Sequence, residues 1–479
     1  MRPLDDPSVA EFRALARQVI EAAAEFLGTI EARPVFPHTS GEETARRFDA
    51  AIPEEGMGAA ALHGDVLGEV AALSRVHHGG FLGYVMGTGL PVAALGELYG
   101  AVINQNVTAW RSAPAAVTIE RSVVRALAEA VGCAGFAGSL TGGGSPANLM
   151  GLCMARETLA PAREDREGMT GGQGGVIYAS TEVHMSIPKA AMLLGLGPRG
   201  LRRIRVDGRQ RMDVAALEAA IVEDRAAGRR PLAVVATAGT VATGAIDPLE
   251  EVAEVAARHG LWLHVDGAYG VLAALAAPEK FRGLGRADSL SLDAHKWLYQ
   301  PVDCGCLLYR DAAAARRAFA HTDDYARSLT EDPVEGFAFF EESLELSRRF
   351  RALPLWLSLR YYGLAAFRAA MRQNLEQAQA LARRVAEEST LELLAPVELS
   401  VVCFRWRGDG EGKGPAAPGL DQRNAALLET VLRRGRVYLS NATVEGKFAL
   451  RACFTNHRTR PADVEAVVAE VLAAAATGP

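Results

Sequence analysis

Between about residues 115 and 310, short unbroken apolar runs alternate with segments of helical periodicity. The runs at 176–179, 232–236, 261–265 and 306–309 carry apolar side chains at consecutive positions, so both faces of each predicted strand must be buried. Segments 213–227 and 248–259 lie between them and repeat apolar residues every three to four positions. Strand, helix and strand in that order predict an α/β fold with a mostly parallel central sheet, covered by helices on both faces. In such a sheet ligands gather where the strands end, and the polar clusters of this chain fall there.

Thr141-Gly142-Gly143-Gly144-Ser145-Pro146-Ala147-Asn148 precedes the start of a helical run. Free backbone N–H groups and the positive end of a helix dipole make an anion site, which glycines let a phosphate approach. The loop lacks the Gly-Lys-Ser/Thr ending of a nucleotide P-loop, and read alone it serves equally as a hinge. His184 follows the run at 176–179, Thr237 ends the run at 232–236, and Asp266 ends the run at 261–265. Lys296 follows Ser291-Leu292-Asp293-Ala294-His295. Taken singly, each has a plainer reading: a satisfied core histidine, a structural aspartate, a solvated lysine at a strand end. Together they supply an anion site, a flat group, a carboxylate and an amine in one row. Pyridoxal phosphate needs all four, for its phosphate, its ring, its ring nitrogen and its aldehyde.

The rest of the chain frames this row. Segment 8–31 predicts an amphipathic helix capped by Ser8, with Phe12, Val19 and Ile20 on a stripe that must cover another surface. A long helical tract runs from about 345 toward 385, and short strands near 401–405 and 448–453 with a last helix from Pro461 predict a smaller α+β unit. The expected division is an N-terminal helical segment 1–89 packing on a dimer partner, a large domain 90–367 and a small C-terminal domain 368–479. A formal net charge of −6 without long blocks of one sign favours small molecules over nucleic acid or an anionic membrane. The acidic, proline-containing start and the lack of a long apolar run lead to an expected cytoplasmic location. Six cysteines in 479 residues read as reduced core residues, and no metal site is expected.

The chain resembles the group II pyridoxal-phosphate-dependent amino-acid decarboxylases of the aromatic-L-amino-acid decarboxylase type. Asp293-Ala294-His295-Lys296-Trp297 is similar to the family's cofactor-lysine motif, and His264-Val265-Asp266-Gly267-Ala268-Tyr269 to its His-Val-Asp-Ala-Ala-Tyr motif. The resemblance implies the fold of pyridoxal-phosphate transferases of fold type I, which is aspartate aminotransferase-like. It implies that Lys296 forms the internal aldimine, Asp266 pairs with the pyridine nitrogen, Ala268 packs under the ring and His184 stacks over it. Thr237 would lie close to the cofactor, with Gly144, Ser145 and His295 holding the phosphate. Ser347-Arg348-Arg349-Phe350-Arg351 matches a further family block, without which its arginines read as surface charges.

Residues 318–325 align with the family's mobile catalytic loop, which implies that Tyr325 protonates the substrate α-carbon after carbon dioxide leaves. Related aldehyde synthases often replace that tyrosine or the stacking histidine; both are present here, favouring release of the amine. An aldehyde synthase or an aminotransferase on the same fold is the alternative, and a non-catalytic homologue a further one. The expected substrate pocket is Tyr84, Val85, Asn106, Thr108 and Val302, mostly smaller or more polar than in the aromatic-acid enzymes. Its side-chain class stays open between an aromatic and a more polar amino acid. The family arrangement also implies a homodimer with the active site at the interface.

Overall fold

Seven strands form the central sheet: β1 (Ala137–Thr141), β2 (Val176–Ser180), β3 (Leu201–Ile204), β4 (Pro231–Thr237), β5 (Trp262–Asp266), β6 (Ser289–Asp293) and β7 (Gly305–Tyr309). The computed structural model describes residues 6–49, 51–52, 54–55, 67–159, 175–321, 330, 332–408 and 419–477. The strand order is β1-β7-β6-β5-β4-β2-β3. Neighbours from β6 through β3 pair in parallel, whereas β7 is antiparallel to both β1 and β6. The reason is chain length. Residues 294–304 are too few for the crossover that a parallel return requires, so β7 turns back beside β6.

Alternate residues of each strand enter different cores, as the period of two demands. Ile177 and Ala179 join the core beneath helices Gly144–Leu159, Ser186–Leu193 and Ala312–Phe319. Val176 and Tyr178 face the opposite core, with helices Pro114–Ala130, Val214–Ala226 and Leu249–Arg258. Every residue of β2, β5, β6 and β7 is buried; β2, β5 and β7 read as apolar runs for that reason, whereas β6 alternates Ser and Leu.

A second, antiparallel sheet follows, formed by β8 (Leu391–Leu393), β9 (Val401–Trp406), β10 (Ser440–Val444) and β11 (Lys447–Cys453), in the order β10-β11-β9-β8. Glu445 and Gly446 join β10 to β11 with φ of 50° and 75°, the pair of positive values that a two-residue hairpin favours. Helices Leu420–Arg434 and Pro461–Ala476 share its core. Helix Ala352–Glu387 reaches both units: Phe367 and Met371 belong to the core of the large sheet, and Ala378 and Leu381 to that of the small one. It breaks at Gly363 (φ 73°, ψ 153°), just before the expected domain boundary.

The first helix is Val9–Thr29, capped by Ser8 and Glu11 in a reciprocal box, and it has no buried residue. Later parts of the N-terminal segment attach to the small unit of their own chain. Val35 N donates to Gly435 O (3.0 Å), Leu82 N to Tyr438 O (2.9 Å) and Cys453 N to Leu82 O (2.8 Å). Among the described residues no helix is long and apolar enough to cross a membrane.

Candidate active site

The C-terminal ends of β1, β2, β4, β5 and β6 meet the start of β7 at one edge of the sheet. After β1 the chain turns through Gly142 and Gly143, and helix Gly144–Leu159 begins at once. Gly143 has φ of 119°, a conformation that side chains resist. A Cβ on Gly144 would lie 2.7 Å from Ala268 Cβ, so only glycine fits between that turn and the end of β5. Behind the turn, Glu120 accepts from Leu140 N (2.9 Å) and pairs with Arg348, which also donates to Leu140 O (2.8 Å) and Val107 O (2.8 Å). Arg348 is 2% exposed. It is a buried brace for the glycine turn, and the surface-charge reading of this arginine fails because its partner Glu120 lies far away in sequence.

Asp266 is buried at the end of β5 and held by neutral donors: Asn148 Nδ2 (3.0 Å), Ser291 Oγ (3.2 Å) and Ala268 N (3.3 Å). Such donors keep a carboxylate in place and leave its charge available to a cation. Thr237, at the end of β4, donates its N–H to Asp247 Oδ2 (2.7 Å), while its buried Oγ1 has no protein partner. Burial pushes the Asp247 carboxyl up to about 6, against the backbone donors of Met212 and Thr237. His184 follows β2, with Nδ1 2.8 Å from Ser186 Oγ and 3.2 Å from Ser186 N. Burial lowers its basicity, with Asp266 opposing, which favours the neutral ring.

Lys296 stands one turn after β6, its Nζ 2.9 Å from Asp293 Oδ2. Asp293 is 1% exposed, and its Oδ1 has no partner. His295 Nδ1 accepts from Cys304 N (3.3 Å), and burial again lowers its basicity.

A cavity of about 250 Å³ brings together Gly144, Ser145, His184, Thr237, Asp266, Ala268, His295 and Lys296, with Val302 at its wall. A wider cleft of about 600 Å³ adjoins it, sharing His184 and Lys296 and adding Tyr84, Val85 and Arg451. Asn106 and Thr108 line neither. Asn106 Oδ1 instead accepts from Arg348 N (2.9 Å), and Thr108 O from Phe339 N (2.8 Å). Tyr325 lies outside the described residues.

The residues fit pyridoxal phosphate on structural grounds. Free N–H groups at a glycine turn, a buried carboxylate held by neutral donors and an accessible lysine amine face one space. Residues 42–407, well over half of the chain, match the pyridoxal-dependent decarboxylase conserved domain. The chain belongs to the pyridoxal-dependent decarboxylase family. It is 32% identical to the aromatic-L-amino-acid decarboxylase of Bacillus atrophaeus, over 98% of this chain and 96% of that protein. It is 29% identical to the phenylacetaldehyde synthase of Petunia hybrida, over 92% and 89% respectively. The crystal structure of Oryza sativa TDC with PLP and tryptamine superposes with a TM-score of 0.90 at 26% identity, covering 99% of each chain. This decarboxylase therefore has the fold type I architecture, uses pyridoxal phosphate and acts as a carboxy-lyase on an amino acid.

Sequence reasoning gave no role to Asn148, His264, Ser289, Ser291 or Arg451. One signal was present. Trp262, His264 and Asp266 alternate along β5, as Ser289, Ser291 and Asp293 do along β6, placing polar groups on one face of otherwise apolar strands. Register sets His264 beside Ser289 and Asp266 beside Ser291.

Proposed function

We propose that this decarboxylase converts an L-amino acid to its amine, with an aromatic amino acid as the leading substrate class. The observation that carries the reading is the gathering of Lys296, Asp266, His184 and the glycine turn around one cavity. The relatives named for aromatic substrates, together with Tyr84 on the outer cleft, support the aromatic class.

When bound, pyridoxal phosphate supplies the electron sink for the pair left by departing carbon dioxide. Gly144, Ser145 and His295 would hold its phosphate, with Ala268 and His184 on opposite sides of its ring. Asp266 would keep a proton on the ring nitrogen, since a buried carboxylate favours a cation beside it. The Lys296 amine would hold the aldehyde, and Asp293, 2.9 Å away, orients that amine. His184 lines both the inner cavity and the cleft and would limit water at the reacting carbon. The hydroxyl of Tyr325 delivers the proton that completes the amine.

The working unit would be a homodimer. Phe12, Val19 and Ile20 on the first helix and Leu95, Tyr99 and Val102 on helix Pro91–Ile103 are exposed apolar residues, more than an isolated surface needs. A second copy covering them would also explain why Asn106 and Thr108 face away from their own chain's cavity. Six free cysteines support a reducing, cytoplasmic setting.

A second reading, an aldehyde synthase, draws on the Petunia hybrida relative. Carbon dioxide release from a panel of L-amino acids, with amine and aldehyde quantified separately, decides between them. Amine is expected in equal amount to carbon dioxide, and stoichiometric aldehyde would overturn the reading. In Tyr325→Phe, amine formation should fall about 10²-fold or more, and an unchanged rate would remove Tyr325 from the reaction.

A further inference from the structure

An unbroken line of buried hydrogen bonds runs from the far end of β5 to the cavity. Trp262 Nε1 donates to Ser289 Oγ (2.9 Å), and Ser289 Oγ lies 2.8 Å from His264 Nδ1. His264 Nε2 lies 2.9 Å from Asn148 Oδ1. The two amide hydrogens of Asn148 go to Asp266 Oδ2 (3.0 Å) and Ser186 Oγ (2.9 Å), and Ser186 Oγ lies 2.8 Å from His184 Nδ1. His264 and Ser289 have no exposed surface, and Asn148 is 1% exposed. One turn beyond Asn148, a Cβ on Gly151 would come within 2.6 Å of His264 Nδ1, so the helix leaves a notch for that ring.

Donor and acceptor counting gives the line a direction. The Asp266 carboxylate only accepts, so Asn148 turns its amide hydrogens toward Asp266 and Ser186 and its Oδ1 toward His264. Asn148 Oδ1 accepts from His264 Nε2, so the proton of the neutral imidazole is there, and His264 Nδ1 accepts the hydroxyl hydrogen of Ser289, which itself accepts from the Trp262 indole N–H. Ser186 accepts one amide hydrogen of Asn148 and donates its hydroxyl to His184 Nδ1, which also receives Ser186 N–H (3.2 Å). The ring proton of His184 is left on Nε2. With the opposite His264 tautomer the Asn148 amide would flip and set its carbonyl against the Asp266 carboxylate.

We propose that Asn148 is the positioning residue that locks Asp266 and His184 into one cofactor-holding unit, with its amide orientation set by the Asp266 carboxylate and braced by His264 and Ser289. This rests on the reading that Asp266 and His184 contact the cofactor ring. One amide serves both groups, so the carboxylate and the ring-covering imidazole cannot be oriented independently.

The test uses the full-length protein. Asn148→Asp keeps an acceptor for His264 and replaces both amide donors by lone pairs. The dissociation constant for pyridoxal phosphate, read from its visible absorbance, should rise about ten- to hundredfold, with a changed visible circular dichroism. Wild-type affinity and an unchanged signal would overturn the proposal. Ser289→Ala removes the hydroxyl at His264 Nδ1 without touching either cavity. Nitrogen-15 spectra of histidine-labelled protein should show the Nε2–H tautomer of His264 and His184 in the wild type and in Ser289→Ala, since Asp266 and Asn148 set it, and a changed His184 signal in Asn148→Asp. An Nδ1–H tautomer of His264 or His184 in the wild type or in Ser289→Ala would overturn the proposal even if Asn148→Asp failed to fold. Asp266→Asn separates the two levels. If it binds cofactor as the wild type does, the reading of Asp266 fails; if it is impaired while Asn148→Asp is not, only the relay fails.

Discussion

The inner cavity and the outer cleft share His184 and Lys296 but are built in different ways. The inner cavity is made of residues just past strand ends, each fixed by buried partners: Asp266 by three donors, Lys296 by Asp293, the glycine turn by Glu120 and Arg348. The outer cleft draws on segments far apart in the chain, such as Tyr84 and Arg451, and Tyr84 is 44% exposed. A cofactor that stays bound calls for a rigid mould. A substrate that enters and leaves calls for a surface that other segments complete.

Lys296→Ala should be the most damaging change to that mould. Activity should fall at least about 10³-fold, and the visible band near roughly 420 nm expected of the lysine-bound cofactor should vanish, as absorbance after dialysis would show. A persistent band would break the distinction between a mould and a surface.

Glu120→Ala leaves the Arg348 guanidinium buried without its carboxylate. It should cost about 3–5 kcal/mol in urea unfolding and weaken cofactor binding. A loss under about 1 kcal/mol would mean that the glycine turn needs no brace.

His264 sharpens the same point through pH. Burial pushes it down to about 4 from an ordinary 6.5, so between these values the unfolded chain binds more protons than the folded one. Its contribution is complete above pH 6.5 and is lost as the pH falls toward 4. Unfolding free energy should drop by roughly 2 kcal/mol more from pH 7 to pH 5 in the wild type than in His264→Gln. Equal slopes would show that the imidazole is not buried neutral.

Tyr84→Phe removes the hydroxyl that lies 3.1 Å from Tyr438 Oη, on the looser side of the comparison. Stability should change by about 1 kcal/mol or less, with the effect appearing in KM rather than in cofactor affinity. A loss of cofactor would place Tyr84 in the mould.

Much of the central sheet was legible because a buried parallel strand must be apolar on both faces and its polar residues must wait until it ends. β2 and β4 follow that rule, β5 follows it apart from His264, and the antiparallel β7 is apolar because it is equally buried; β1, with Gly138 and Ser139, and β3, with Arg202 and Arg203, do not announce themselves. The row from Gly144 to Lys296 was legible for the same reason, since one strand end after another deposits its group at one edge. Arg348 shows the limit. Its charge looked solvated because its neighbourhood offers only the looser Glu345, 3.8 Å from its Nε, and its close partner arrives from helix Pro114–Ala130.

By itself, then, the sequence determined the alternation that makes the sheet and the chemistry of the groups at its edge, because both are local consequences of burial and chain direction. Only the tertiary structure decided which groups hold them. Asn148 meets Asp266 and His264, and Asn106 turns to Arg348, through contacts between segments more than a hundred residues apart. Register and helix placement set those contacts, and the order of residues along the chain does not encode either in any local pattern.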